Sequence, residues 1–215
     1  MQLVDRIEKR RFVGRELCLW LWFESELFEG TLSTKEHGEF GLWIERQITL
    51  SAGKNEVTRI KGSYPAGKRE AKESLLRGKL PELFGMHLSW REREFNFVLK
   101  AESLALSGLT LPTALGAEDE PAPLLDRPPP PRKRKKAESA DPSDAQHEAF
   151  YERMMLTREV EGLVEALYCD FLALRLGPSW DSVVAPALSA WSSGGEVDAD
   201  VYKKARSAAL GSKRR

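Results

Sequence analysis

Cysteine, histidine and long apolar runs are all scarce in this chain, and each scarcity closes a line of explanation. Two cysteines occur in 215 residues, Cys18 and Cys169, without CxxC or ladder spacing. A disulfide scaffold is therefore excluded, and both read as reduced, buried thiols of a cytosolic protein. The three histidines, His37, His87 and His147, stand alone. With no HExxH, no paired Cys/His spacing and no Asp-rich loop, neither a metal site nor a cofactor is expected, and His87 reads as a strand residue beside the core. No apolar run is long enough to span a membrane. Met1 to Arg11 has no apolar core followed by a small-residue cleavage site, so no secretion signal is expected and the reading is cytoplasmic.

Catalytic signatures are missing as well. There is no GxSxG and no GxGxxG, and Gly62-Ser63-Tyr64-Pro65-Ala66-Gly67-Lys68 is followed by Arg69 where a nucleotide-binding loop carries Ser or Thr. The carboxylate pairs Glu24/Glu26 and Glu159/Glu161 are spaced i,i+2 and do not share a helix face. An enzyme is not expected.

Charge is abundant but segregated. Across the whole chain 33 basic residues balance 33 acidic ones. Residues 54–100 nevertheless hold 11 basic and 6 acidic residues, residues 137–200 hold 3 and 13, and residues 201–215 hold 6 and none. A basic face, rather than a basic average, is what an electrostatic nucleic-acid footprint needs.

The densest apolar segment lies in Phe12 to Glu26, around Leu19-Trp20-Leu21-Trp22-Phe23, and reads as a helix. At 3.6 residues per turn Trp20 and Trp22 point about 200° apart, so the helix must be covered on more than one side, by a packed centre or by a partner. Phe40 to Glu45 and Gln47 to Leu50 are β-rich and read as a strand pair or one bent strand. Val57-Thr58-Arg59-Ile60-Lys61 alternates as a half-buried strand that exposes Lys61. Lys68 to Arg77 is helix-like. Phe84 to Trp90 and Phe95 to Lys100 alternate again and form a hairpin about Arg91 to Glu94. Residues 1–112 are thus an α+β region with a small antiparallel sheet and packed helices.

Residues 113–145 read as a disordered linker, culminating in Pro128-Pro129-Pro130-Pro131 and the basic run Arg132-Lys133-Arg134-Lys135-Lys136. That run is a solvated spacer, a phosphate-binding arm or a nuclear-import signal. Residues 146–192 form C-terminal helices packing on the α+β region: a long amphipathic helix from His147 to Leu176 and a shorter, Pro-interrupted one over Trp180 to Trp191, separated by Gly177-Pro178. Residues 193–215 read as a mobile, basic polar tail.

The order of these segments resembles the C-terminal half of the recombination-associated protein RdgC family. The likeness runs through the Leu19-Trp20 helix, Gly41 to Leu50, Val57 to Lys61, the helix ending Leu75-Leu76-Arg77-Gly78-Lys79 and the hairpin from Leu88 to Val98, and resumes at Met155 to Leu167. It implies a nucleoid-associated protein that binds DNA, duplex rather than single-stranded, with little sequence preference. Family members close a two-subunit ring around the duplex, so a homodimer or a separate RdgC-like N-half protein is the implied partner. Leu19, Trp20, Trp22 and Phe23 are the expected joint. The resemblance places the DNA-facing region near Arg59 and Lys61, where the alternation independently exposes a basic face. Lys68, Arg69, Lys72, Arg77 and Lys79 would extend that face, and Arg132, Lys133, Arg134, Lys135 and Lys136 would add a flexible contact. The rival expectation is a non-enzymatic interaction adaptor that uses the apolar first helix and the acidic C-terminal helix.

Overall fold

The computed structural model describes residues 11–52, 56–112 and 144–211. Helix α1 (Arg11–Leu27) leads into β1 (Thr31–Thr34), β2 (Gly38–Ser51) and β3 (Val57–Gly62). Helix α2 (Arg69–Leu76) precedes β4 (Leu80–Trp90), β5 (Arg93–Lys100) and β6 (Leu106–Thr110). The C-terminal part holds α3 (Asp144–Arg175), a π-helical turn (Trp180–Val184), α4 (Ala185–Ser192) and α5 (Ala199–Gly211). The architecture is α+β, as the alternation predicts.

All six strands form one antiparallel sheet in the order β1-β2-β4-β5-β6, with β3 also pairing β2. Strand β2 is long enough to hold both: β1 occupies its Gly38–Gly41 end and β3 its Arg46–Ser51 end. The two β-rich runs are therefore one strand. Its bend is a bulge, in which Glu45, Arg46 and Gln47 lie opposite the single residue Gly85. A side chain at Gly85 would strike the Glu45 carbonyl, so glycine is what admits the bulge. Alternation sorts the two faces: Leu42, Ile44, Ile48, Phe84, Met86, Leu88, Phe95, Phe97 and Leu99 are buried, whereas the residues between them, such as Trp43, Gln47, Thr49, His87, Asn96 and Val98, are half-buried.

Helix α1 lies on the buried face and is itself covered from behind. Trp22 meets the sheet through Phe84, with ring centroids 6.0 Å apart. On the other side Trp20 packs against Phe171 of α3 at 5.6 Å and Phe23 against Tyr202 of α5 at 4.9 Å. The 200° separation of the two indoles is thus met by the sheet on one side and the C-terminal helices on the other. Val160, Leu163, Leu167, Phe171 and Leu174 supply the inward stripe of α3.

Several expectations need correction. Trp20, Trp22 and Phe23 are fully buried in the chain's own core, and Leu19 packs against it. They need no second protein to cover them and are not an exposed joint. The tail is not all polar and loose: residues 199–211 are helical, with the Asp198 carboxylate accepting the first-turn N–H groups of Asp200 and Val201 and with Tyr202 buried. Cys18 is buried, and burial pushes its thiol up to about 12, but Cys169 is exposed. His87 is a strand residue as expected, half-buried in β4 on the face opposite Met86 and Leu88. Helix α3 begins at Asp144, just inside the stretch read as linker. The rest of that linker, including Arg132 to Lys136, lies outside the described residues. Among the described residues no helix is long and apolar enough to cross a membrane.

Candidate nucleic-acid interface

The half-buried face of the sheet gathers the basic residues that alternation sends away from the core. Ile60 is buried beside Ile48, so its neighbours Arg59 and Lys61 point to the opposite face, where both are exposed. Arg59 pairs with Thr49, Thr49 with Leu83, and Leu83 with Lys100. Arg59, Thr49, Leu83 and Lys100 therefore form one row across four strands, and Lys61, opposite Gln47, begins the next. None of the described ion pairs engages Arg59, Lys61 or Lys100. Lys100 was not among the expected site residues, although its place in the Phe95 to Lys100 alternation carries the signal.

The cations around α2 do not continue this row. Lys72 is drawn inward: its ammonium sits 2.6 Å from Glu26 and over the rings of Trp191 and Trp22, at 3.6 and 5.0 Å from their centroids. Burial lowers its pKa, opposed by the hydrogen bond and charge of Glu26. Glu26 also accepts the indole N–H groups of Trp22 and Trp191 at 2.6 and 2.7 Å, so Lys72 is a structural cation between α1, α2 and α4 and not a free phosphate ligand. Lys79 donates to Thr58 Oγ1 at 2.9 Å, on the Ile60 side of β3. Lys68 donates to the Lys61 carbonyl at 2.6 Å, and Arg69 pairs with Glu73 at 2.6 Å. Arg77 is exposed at the C-terminal end of α2. Lys68 therefore stands beside Lys61, while Arg69 is engaged within its own helix.

Further along the same face lies an aromatic centre that the sequence pattern does not single out. Trp43 pairs with His87 and His87 with Asn96. The indole lies over the backbone at Gly41 and Gly30, where any side chain at either glycine would occupy the space of the ring. His87 lies beside it, with ring centroids 5.7 Å apart and the planes tilted by 47°. The His87 ring is fixed by Glu94 at 2.8 Å from Nε2 and by Asn96 Oδ1 at 3.2 Å from Nδ1.

Elsewhere, a cleft of about 1120 Å³ runs between the β1–β2 turn, α3 and α5, lined among others by Lys35, His37, Glu165, Cys169 and Asp170. Burial raises the Asp170 carboxyl. No cluster of three His, Cys, Asp or Glu side chains suited to a metal occurs among the described residues.

No family model, curated protein or solved structure matches this chain.

Proposed function

We propose that this protein is a non-enzymatic, DNA-associated protein of RdgC type that binds nucleic-acid phosphates through the exposed face of its sheet without reading sequence. The observation that carries the reading is the set Arg59, Lys61 and Lys100: three exposed cations on one face, outside every described ion pair. Such groups neutralise phosphates and release condensed counterions, which gives affinity that falls steeply with salt and carries no sequence information. The resemblance of the segment order to the RdgC family points to the same class. The adaptor reading loses its apolar half, because Trp20, Trp22 and Phe23 are enclosed in the core.

The test is a titration of fluorescent duplex DNA at several salt concentrations. Binding is expected to weaken linearly on a log–log plot, and Arg59→Ala/Lys61→Ala is expected to flatten the slope by about 0.9 for each phosphate that is no longer neutralised. Lys61→Glu is expected to weaken binding further while leaving the thermal midpoint within a degree or two, because the side chain is exposed and makes no described ion pair. Unchanged affinity in both variants would remove this face as the binding site. Absence of binding to duplex and single-stranded DNA alike, even at low salt, would remove the reading itself.

A further inference from the structure

Resting on that reading, we infer that Trp43 is a base-stacking platform and that the sheet face takes single-stranded nucleic acid, with a base on Trp43 and phosphates on Arg59, Lys61 and Lys100. Three observations converge. The indole is laid over backbone rather than packed into the core, seated on two glycines that leave room for it and for nothing larger than hydrogen. Its seat is rigid, because His87 abuts the ring and is itself held by Glu94 and Asn96. The cations lie on the same face, displaced along the sheet from Trp43: on β4 four residues, His87 to Leu83, or roughly 13 Å of strand, separate the Trp43 row from the Thr49–Arg59 row.

The distribution of charge assigns which part of the ligand goes where. Glu94 stands at the Trp43 end, 2.8 Å from His87 Nε2, and repels a phosphate there, while an uncharged base is not repelled. The other end offers Arg59, Lys61 and Lys100, with Thr49 and Gln47 between them as hydrogen-bonding groups. In a duplex the bases are stacked on one another and their faces are hidden. Only an unpaired base can lie on an indole, and stacking of this kind tolerates any sequence, in keeping with phosphate binding that reads none. This reverses the preference for duplex that the family resemblance implies.

The experiment compares oligo(dT) with a duplex of the same length, at low salt, on the full chain and on Trp43→Leu, Trp43→Phe and Arg59→Ala/Lys61→Ala. Leucine keeps apolar bulk over the glycines but removes the ring. Trp43→Leu is expected to weaken oligo(dT) binding about tenfold, to leave duplex binding within about twofold, and to be largely rescued by Trp43→Phe. The Arg59/Lys61 variant is expected to weaken both ligands. A second readout does not depend on a variant folding: photocrosslinking of an oligonucleotide carrying 5-iododeoxyuridine to the unmodified protein is expected to mark Trp43. Equal weakening of both ligands by Trp43→Leu, no change in either, or a crosslink only at other residues would overturn the stacking site while leaving the phosphate reading intact. Failure of the unmodified protein to bind either nucleic acid would overturn both.

Discussion

Arg206→Ala is expected to cost about 3–5 kcal/mol of folding stability at pH 8 and much less at pH 4, read as the shift in urea midpoint at each pH. The reason is the carboxylate that Arg206 serves. Glu24, on α1, is fully buried. Its Oε1 accepts the Tyr202 hydroxyl at 2.7 Å and the Arg206 Nε–H at 2.8 Å, and Tyr202 in turn accepts the Trp20 indole N–H at 2.8 Å. Its Oε2 has no hydrogen-bond partner among the described residues. Burial raises the Glu24 pKa above the ordinary value of 4.5, and the nearby guanidinium of Arg206 is the largest influence holding it down. The folded chain therefore keeps the Glu24 proton to higher pH than the unfolded chain does. It follows that stability falls as pH rises from the ordinary carboxylate range toward the raised value. Arg206 compensates only the ionised form, so the cost of losing it grows as pH rises, whereas at pH 4, below even the ordinary carboxylate value, Glu24 is protonated and needs no counter-ion. Glu24→Gln in the Arg206→Ala background is expected to recover most of the loss at pH 8. An equal loss at both pH values would show that Arg206 acts through its bond to the Ser33 carbonyl at 3.1 Å, or through packing on Phe28, rather than through Glu24. Asp170 is governed by the same guanidinium, which also lowers its pKa against burial, so the double variant is the cleaner measurement.

That network also marks where sequence reading reaches its limit. The strands β3, β4 and β5 are legible because Ile60, Phe84, Met86, Leu88, Phe95, Phe97 and Leu99 repeat with the period of two that a one-sided sheet imposes. The double coverage of α1 is legible from the angle between Trp20 and Trp22. Helix α5 is not, because its sequence offers only Tyr202 and Ala205 as buried residues among Lys, Arg and Ser. What fixes it is a hydrogen bond to a residue 178 positions earlier. Strand β1 has four residues and β6 carries a glycine, so neither shows enough alternation to stand out. Within the candidate site, Arg59 and Lys61 follow from alternation, while the withdrawal of Lys72 depends on Glu26, 46 residues away, and on Trp191. Trp43 is hidden for a related reason: Phe40 to Ile44 carries no polar side chain, and only the register with His87 shows which side of the sheet the indole takes.

The same geometry predicts that a chain ending at Pro112 will not hold a fixed fold, although it retains all six strands and α1. In the intact protein the C-terminal helices bury Val160, Leu163, Leu167, Phe171, Leu174, Val184 and Tyr202, and several of these cover the side of α1 that the sheet does not reach. Burying a single large apolar side chain contributes about 1.5–3 kcal/mol, and a domain's whole margin is about 5–15 kcal/mol. Losing this set is comparable with the whole margin, and it also exposes Trp20 and Phe23 and strips Glu24 of both hydrogen-bond donors. The truncated chain is expected to lose its near-ultraviolet circular dichroism and to bind a hydrophobic dye, with much of its far-ultraviolet signal retained. Adding residues 144–211 as a separate polypeptide is expected to restore the near-ultraviolet signal, since the two pieces meet through side chains rather than through a shared strand. A truncated chain that melts cooperatively by itself would mean that the sheet and α1 suffice, and that the C-terminal helices are an addition to a core already complete.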